Sequence, residues 1–180
     1  QPHGRAGAGR GDARHLMSLT WRTTAAVYAR QAMPRLAVRA ILIEDDNILL
    51  AHFVDPTGTW YVTPGGGVQH GETLEEAFHR ELHEEIGARA EFGAIAFIRE
   101  IIADRLETTN LPAGFHQLEI FVHGRLLPDQ TLRMVSPDTS QVGLVWAPLA
   151  QLHTLPFFPR ALIGEFQARA FPRFYYGQLR

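Results

Sequence analysis

Hydrophobic and polar positions divide the chain into an irregular first part and a body of short strands and turns. Residues 1–33 contain isolated apolar residues without a sustained period. From Pro34 onward, apolar and β-branched residues come in short runs bounded by Gly, Pro, Asn and Asp, which is the pattern of strands joined by turns. The first two runs meet across the polar turn 44–46 and are expected to form a hairpin. The predicted strands are 36–43, 47–54, 60–63, 91–103, 115–127 and 142–146.

One segment has a clear helical period. Between Thr73 and Ile86, apolar residues recur every four positions, and Gly87 follows at the position where helices often take a left-handed residue. A second helix is predicted near Pro159–Ala170. Strands on both sides of a helix predict an α/β domain with a mixed sheet flanked by helices.

The two ends of the chain differ from this body. Residues 1–33 are rich in arginine and are interpreted as a flexible extension upstream of a shorter native chain, with an organelle-targeting leader and, behind it, a nucleic-acid-binding arm as the alternatives. Residues 34–170 are expected to form the folded domain. The aromatic tail 171–180 either packs on that domain or mediates formation of a homodimer, and packing is the simpler expectation.

The composition excludes several kinds of chemistry. The 180 residues include no cysteine, and all 17 basic residues are arginine. Disulfides, thiolate nucleophiles, Schiff-base lysines and phosphate-loop lysines are therefore absent. The lack of cysteine fits a reducing compartment, so a cytoplasmic protein is expected, and the apolar runs are too short to span a bilayer.

The charge distribution argues against a nucleic-acid partner. Residues 1–35 carry six arginines and one acid, whereas residues 36–180 carry eleven arginines and eighteen acids. A nucleic-acid-binding domain needs a basic surface on its folded part, and this body is acidic. A small anionic molecule, handled through metal ions, is the more consistent partner.

Three glutamates in the predicted helix point to such a metal. Glu81, Glu84 and Glu85 are spaced i, i+3, i+4, so their carboxylates share one patch. The helical period places Glu85 and Glu81 inside or at the edge of the apolar stripe, with Glu84 beside them. Partly desolvated like charges repel each other, and a divalent cation compensates them. Oxygen ligands favour Mg²⁺ or Mn²⁺. The alternative is a solvated acidic face, which the position beside the apolar stripe disfavours.

A glycine cluster precedes the helix. Three consecutive glycines after Pro64 allow the backbone to approach a ligand closely, and their carbonyls are available to a metal. The segment lacks the Lys-Ser/Thr of a phosphate loop and does not match a dinucleotide-binding fingerprint. A plain turn is the alternative.

Together, these residues resemble the Nudix box, G-x5-E-x7-R-E-U-x-E-E-x-G-U, where U is a bulky aliphatic residue. The segment from Gly66 to Ala88 reads GGVQHGETLEEAFHRELHEEIGA and fits the pattern in register, although Ala88 is small for its place. The match is very specific. The resemblance implies the Nudix fold, an α/β/α sandwich, over residues 34–170.

The resemblance also implies an activity. Members of the family are mostly Mg²⁺- or Mn²⁺-dependent hydrolases of a nucleoside diphosphate linked to another group. Glu81 and Glu85 match metal ligands, and Glu84 matches a residue that binds metal or deprotonates water. The carbonyl of Gly66 matches a further metal ligand.

Other residues receive supporting roles. The resemblance implies that Glu72 and Arg80 brace the loop against the helix. Many relatives place an acid just before the tryptophan of the late strand, where this chain has the segment 141–146, without an acid. The candidates for that missing role are Glu107, Glu119 and Asp138, each of which is more simply an ordinary loop or strand residue.

Substrate binding is less well specified. Recognition of a base needs aromatic surfaces and a few polar groups. The candidates for contact with substrate are Trp60, His116 and the glycines Gly65, Gly66 and Gly67, with Phe53, Tyr61 and Phe97 as further aromatic surfaces; an aromatic residue in a strand is otherwise a core residue. No subfamily signal selects one substrate, and a (d)NTP is as consistent as a nucleotide sugar.

Two functions therefore follow from the sequence. The favoured one is a metal-dependent pyrophosphohydrolase that acts on a small nucleotide. The alternative is a catalytically silent nucleotide-binding module of the same fold. Degenerate members of the family usually lose a carboxylate of the box, and this chain retains them all.

Overall fold

The computed structural model describes residues 33–107 and 111–179. The predicted extension lies outside this range except for Met33. The strands are β1 (Arg35–Glu44), β2 (Asn47–Asp55), β3 (Gly58–Val62), β4 (Ala90–Ile102), β5 (His116–Leu126), β6 (Gln141–Pro148) and β7 (Tyr175–Gln178). The α-helices are α1 (Leu74–Ile86) and α2 (Ile163–Ala168), and the 3₁₀ helices are Ala103–Arg105, Leu149–Thr154 and Arg160–Leu162. The six predicted strands and the first predicted helix are confirmed to within two residues at each end.

The seven strands form one mixed sheet with two halves. In the first half, β1 runs parallel to β5, β5 runs antiparallel to β4, and β7 joins the outer edge of β4 in parallel. In the second half, β2 lies between β3 and β6 and is antiparallel to both. The halves join where β1 pairs with the start of β2. Asp45 and Asp46 form the turn with φ angles of 45° and 63°, as a tight hairpin turn requires.

Two cores cover the two faces of the β1–β5 half. Helix α1 buries Phe78, Leu82 and Ile86 against one face. The opposite face carries Phe97 and Phe121, which pack against residues from the second half and from the segment around α2. This layered arrangement confirms the predicted α/β/α sandwich.

Helix α1 has well-defined ends. Thr73 is its N-cap and forms a capping box with Glu76, and Gly87 ends it with a φ angle of 63°. These contacts satisfy backbone groups that a helix end leaves without partners. The helix therefore begins and ends at fixed positions, which fixes the direction of its glutamate side chains.

The final predicted helix is shorter than expected. Instead of one helix over 159–170, the chain forms a 3₁₀ turn and then the six residues of α2. Gly164 is a poor helix former, and Arg169 ends the helix in a left-handed conformation, with a φ angle of 51°.

The aromatic tail packs on the domain, as expected. The rings of Phe171 and Tyr176 lie 4.7 Å and 5.4 Å from the ring of Phe97. The tail also supplies β7, which the sequence did not predict. Among the described helices, none is long and apolar enough to cross a membrane.

Candidate active site

The glycine cluster forms a bend that lies along the edge of β1. The N–H of Ala40 donates to the carbonyl of Pro64 at 2.8 Å, and the N–H of Val38 donates to that of Gly66 at 2.9 Å. Gly65 has a φ angle of 130°, and a Cβ atom there would collide with the carbonyl of Val38. Glycine is thus required for this close approach of two backbones. We call residues 64–67 the glycine bend.

The three helical glutamates differ in burial, in the order that the helical period predicts. Glu85 is 4% exposed. The side chain of Glu81 is 12% exposed and that of Glu84 is 37% exposed. Glu85 and Glu81 therefore face inward, and Glu84 lies at the rim.

The two inward glutamates lie against the glycine bend. The N–H of Gly65 donates to Oε2 of Glu85 at 2.9 Å. A Cβ atom on Gly66 would lie 2.5 Å from Oε2 of Glu81, so the bend forms a cradle that only glycine leaves open to this carboxylate. The structure thus brings the acids of the helix and the glycines of the loop into one site.

Arg80 links the parts of this site. Its Nε and Nη2 atoms donate to the two oxygens of Glu72 at 2.6 Å and 2.9 Å, and Nη2 also donates to the carbonyl of Gly67 at 2.8 Å. Its Nη1 atom donates to Glu81 at 2.8 Å and to Glu84 at 3.3 Å. The hydrogen bonds from Arg80 lower the pKa of Glu72 to about 2. These contacts join the loop to the helix, and the role of Glu72 and Arg80 as a brace stays a prediction.

The environment of Glu85 disfavours its charge. Burial raises its pKa to about 7, against the opposing effects of the Arg39 charge and the Gly65 N–H. The negative charges of Glu81 and Asp138 raise it further. A buried carboxylate with other acids nearby is a site where a cation is electrostatically favoured.

The donor set fits a hard divalent cation. It consists of carboxylates and backbone carbonyls, without the nitrogen and sulfur ligands that zinc prefers. Among the described residues, no three carboxylate or imidazole groups converge tightly enough to enclose an ion. The carboxylates of Glu81 and Glu84 meet at Arg80 instead. The assignment of the glutamates and Gly66 as metal ligands remains a prediction.

Two predicted substrate contacts lie in the strands. Trp60 stacks on Phe53 with the ring centroids 5.6 Å apart. His116 begins β5, with its Nε2 atom 4.0 Å from Oε1 of Glu100. No hydrogen bond or ion pair joins either residue to the three glutamates within the described part of the chain, so their roles remain predictions. Phe97 is fully buried in the core.

The candidates for an additional acid lie in different surroundings. Glu119 is buried and forms ion pairs with Arg39 and Arg99. Glu107 is exposed beside the undescribed residues 108–110. Asp138 is exposed as well, but its charge acts on Glu85.

The loop that contains Asp138 also caps the end of α1. The N–H of Arg133 donates to the carbonyl of Ile86 at 2.9 Å. The N–H groups of Val135 and Ser136 both donate to the carbonyl of Glu84, at 3.0 Å and 2.9 Å. Just after the loop, Nε2 of Gln141 donates to the carbonyl of Glu85 at 3.3 Å. Gln141 is the first residue of the segment 141–146, which lacks the expected acid, and its amide bonds to the end of the helix.

The sequence interpretation did not identify Arg39. This residue interrupts the apolar run Ala37-Val38-Arg39-Ala40-Ile41 in β1. A charged residue in the middle of a strand that is otherwise buried was the available signal, because such a charge needs a buried partner.

Comparisons with known proteins agree on one family. A family model described as "NUDIX domain" matches residues 33–174. A nucleoside triphosphatase, NudI, from Enterobacter sp. (strain 638) is 50% identical over 38 residues, which are 21% of this chain and 26% of that protein. An RNA pyrophosphohydrolase from Helicobacter pylori (strain G27) is 44% identical over 55 residues, which are 28% of this chain and 35% of that protein. The chain thus spans about a third or less of the length of these relatives.

A solved structure extends the similarity beyond the short matches. The crystal structure of a MutT NUDIX hydrolase from Burkholderia pseudomallei superposes with a TM-score of 0.55 and 27% identity. The superposition covers 66% of this chain and 85% of the Burkholderia pseudomallei chain.

Proposed function

The chain belongs to the Nudix family, and from that premise we propose that it is a metal-dependent pyrophosphohydrolase of a small nucleotide. The substrate is a nucleoside diphosphate linked to another group, or a (d)NTP. Water attacks one phosphorus in line with the bond that breaks, and a nucleoside monophosphate is one product.

One observation carries this proposal: the inward glutamates of α1 lie against the glycine bend. Glu85 accepts the N–H of Gly65 at 2.9 Å, and Glu81 fills the cradle at Gly66. Partly buried carboxylates are costly to keep without enough positive charge, and the charge of Arg39 does not offset the burial of Glu85, whose pKa stays raised to about 7. A divalent ion would offset that cost, and it would also bind the oxygens of an anionic diphosphate.

Each residue of the site receives a task under this proposal. Glu81, Glu85 and the carbonyl of Gly66 would hold Mg²⁺ or Mn²⁺, which would neutralise phosphate oxygens and lower the pKa of water. Glu84, whose side chain is 37% exposed, would accept the proton of the attacking water. Arg80 keeps the glutamates and the glycine bend in register.

The names of the relatives support cleavage of a phosphate anhydride. One is named as a nucleoside triphosphatase and the other as an RNA pyrophosphohydrolase. We favour a small nucleotide over RNA because residues 36–180 carry eleven arginines against eighteen acids.

A substrate panel tests the proposal. ADP-ribose, nucleotide sugars, dinucleotides, coenzyme A, (d)NTPs and a 5′-triphosphate RNA are incubated with Mg²⁺ or Mn²⁺, and released nucleotide and phosphate are measured. At least one small nucleotide should be cleaved in a metal-dependent reaction. The variants E84Q and E85Q should each reduce turnover by about 10²-fold or more. E75Q, on the exposed face of α1, is the matched control and should keep wild-type turnover.

Three results would contradict the proposal. Binding of nucleotides without cleavage under either metal would favour the silent binding module. Wild-type turnover in E84Q and E85Q would place the reaction elsewhere. Cleavage of the RNA alone would overturn the choice of a small nucleotide.

A further inference from the structure

An arginine lies in the middle of the buried strand β1. The side chain of Arg39 is only 16% exposed. Arginine is rarely buried to this extent without partners, so its contacts indicate what it does.

Arg39 joins two partners, and the first is Glu119 on the neighbouring strand β5. Its Oε1 atom accepts from Arg39 Nε at 3.0 Å and from Gln117 Nε2 at 3.0 Å. Its Oε2 atom accepts from Arg99 Nε at 2.6 Å and lies 2.5 Å from Arg99 Nη2. Both oxygens are thus occupied, and Glu119 is fixed within the sheet as an anchor rather than as a free base.

The second partner of Arg39 is the glycine bend. The Nη1 atom of Arg39 donates to the carbonyl of Gly65. The N–H of the same residue donates to Oε2 of Glu85 at 2.9 Å. Gly65 therefore receives a hydrogen bond from the sheet and donates one to the buried glutamate of the helix.

We propose that Arg39 is a positioning residue: anchored by Glu119, it holds Gly65 so that the N–H of Gly65 orients Glu85 toward the divalent ion. This inference rests on the proposed function for the ion. A planar guanidinium suits the task because it donates to a carboxylate and a carbonyl in fixed, different directions.

Simple electrostatics makes the opposite prediction, which makes the proposal testable. Arg39 is positive and acts electrostatically on both Glu85 and Glu81. A positive charge beside a cation site weakens cation binding, so removing the charge alone should strengthen it. If position is what Arg39 contributes, removing it should weaken binding.

The experiment compares R39M, R39K and the control R125M. Arg125 on β5 pairs with Glu91 on β4, but both side chains are exposed. Mn²⁺ binding is measured by calorimetry, and the amide of Gly65 is followed by NMR in protein without added metal. R39M and R39K should both weaken Mn²⁺ binding by about 10- to 100-fold. Both should also shift the Gly65 amide and speed its hydrogen exchange, while R125M should stay within about threefold of wild type for Mn²⁺.

The outcomes separate this inference from the proposed function. Unchanged or tighter Mn²⁺ binding in R39M, or a Gly65 amide that does not respond, would overturn the positioning role. If R39M does not fold, R39K carries the test, since it keeps the charge and loses the planar fork. A wild-type protein that binds Mn²⁺ but cleaves nothing would overturn the proposed function alone. A wild-type protein that binds no Mn²⁺ would overturn both.

Discussion

Gly65 and Glu85, which are 20 positions apart in sequence, are joined by a hydrogen bond of 2.9 Å from the backbone N–H of the glycine to the carboxylate. This bond ties the loop that precedes α1 to the last turn of the helix. It also places the buried carboxylate of Glu85 beside the glycine bend, where three consecutive residues have no side chain.

The cradle at Gly66 should be sensitive to a single methyl group. In G66A the new Cβ atom would lie 2.5 Å from Oε2 of Glu81, so that carboxylate must move. Gly66 has no positive φ angle, so the backbone itself tolerates alanine. We expect Mn²⁺ affinity and turnover to fall by about 10- to 100-fold, measured by calorimetry and by release of product.

A second glycine provides the control for this change. G164A adds a methyl group in α2, where no atom lies within 4 Å of the new Cβ. It should leave both quantities at wild-type values. If G66A behaves like G164A, Glu81 does not hold the ion through its place at the bend.

The brace formed by Arg80 should depend on its planar shape. R80K keeps the charge, but its single nitrogen cannot reproduce the separate Nε, Nη1 and Nη2 donors that reach Glu72, Glu81 and Gly67. Turnover should drop by about 10- to 100-fold in steady-state assays, while the circular dichroism spectrum stays the same. R125K, at an exposed pair, is the matched control. Full activity in R80K would show that turnover does not depend on the brace.

Much of the helix and of its acidic face was predictable because the information is local. Apolar residues recur every four positions along the helix. The cap at Thr73 and the glycine at 87 each act on the turn of the helix next to them. The same period ranks Glu85 and Glu81 as more buried than Glu84, as the structure confirms. The family resemblance is confirmed by the match over residues 33–174.

The support of the site was not predictable in the same way. Arg39 and Glu119 meet across the parallel pairing of β1 with β5, at a separation of 80 residues. Nothing near either residue in sequence identifies the other, because strand order is a property of the whole fold. The short strand β7 was missed for a related reason, since its residues pair only through the outer edge of β4.

Within the aromatic tail, Tyr176 should stabilise the domain more than Phe174 does. The ring of Tyr176 packs against Phe97 with centroids 5.4 Å apart, whereas Phe174 is 61% exposed. Y176A should lower the free energy of unfolding by about 2 kcal/mol, and F174A should change it by less than about 0.5 kcal/mol. Urea denaturation measures both. Equal effects of the two substitutions would indicate that packing on Phe97 is not what the tail contributes.

The buried ion pairs of Glu119 should give the protein a specific dependence on pH. Burial alone would raise the pKa of this carboxyl, but the charges and hydrogen bonds of Arg99 and Arg39 outweigh burial and lower it. Because the folded-state pKa lies below the unfolded one, Glu119 stabilises the fold above the ordinary carboxyl range, and this stabilisation is lost as the pH falls through the folded-state pKa. E119Q should therefore cost about 3–5 kcal/mol at pH 7, since it leaves two buried arginines without their anion.

The difference between wild type and E119Q should then shrink as wild-type Glu119 becomes protonated in acid. E91Q is the control, because Glu91 pairs with Arg125 across the same two strands while both side chains are more than half exposed. That exposed pair should contribute at most about 1 kcal/mol at any pH. Urea unfolding at a series of pH values measures all three proteins. A constant gap between wild type and E119Q down to the acid limit would mean that the cost of E119Q comes from packing and not from the charge of Glu119.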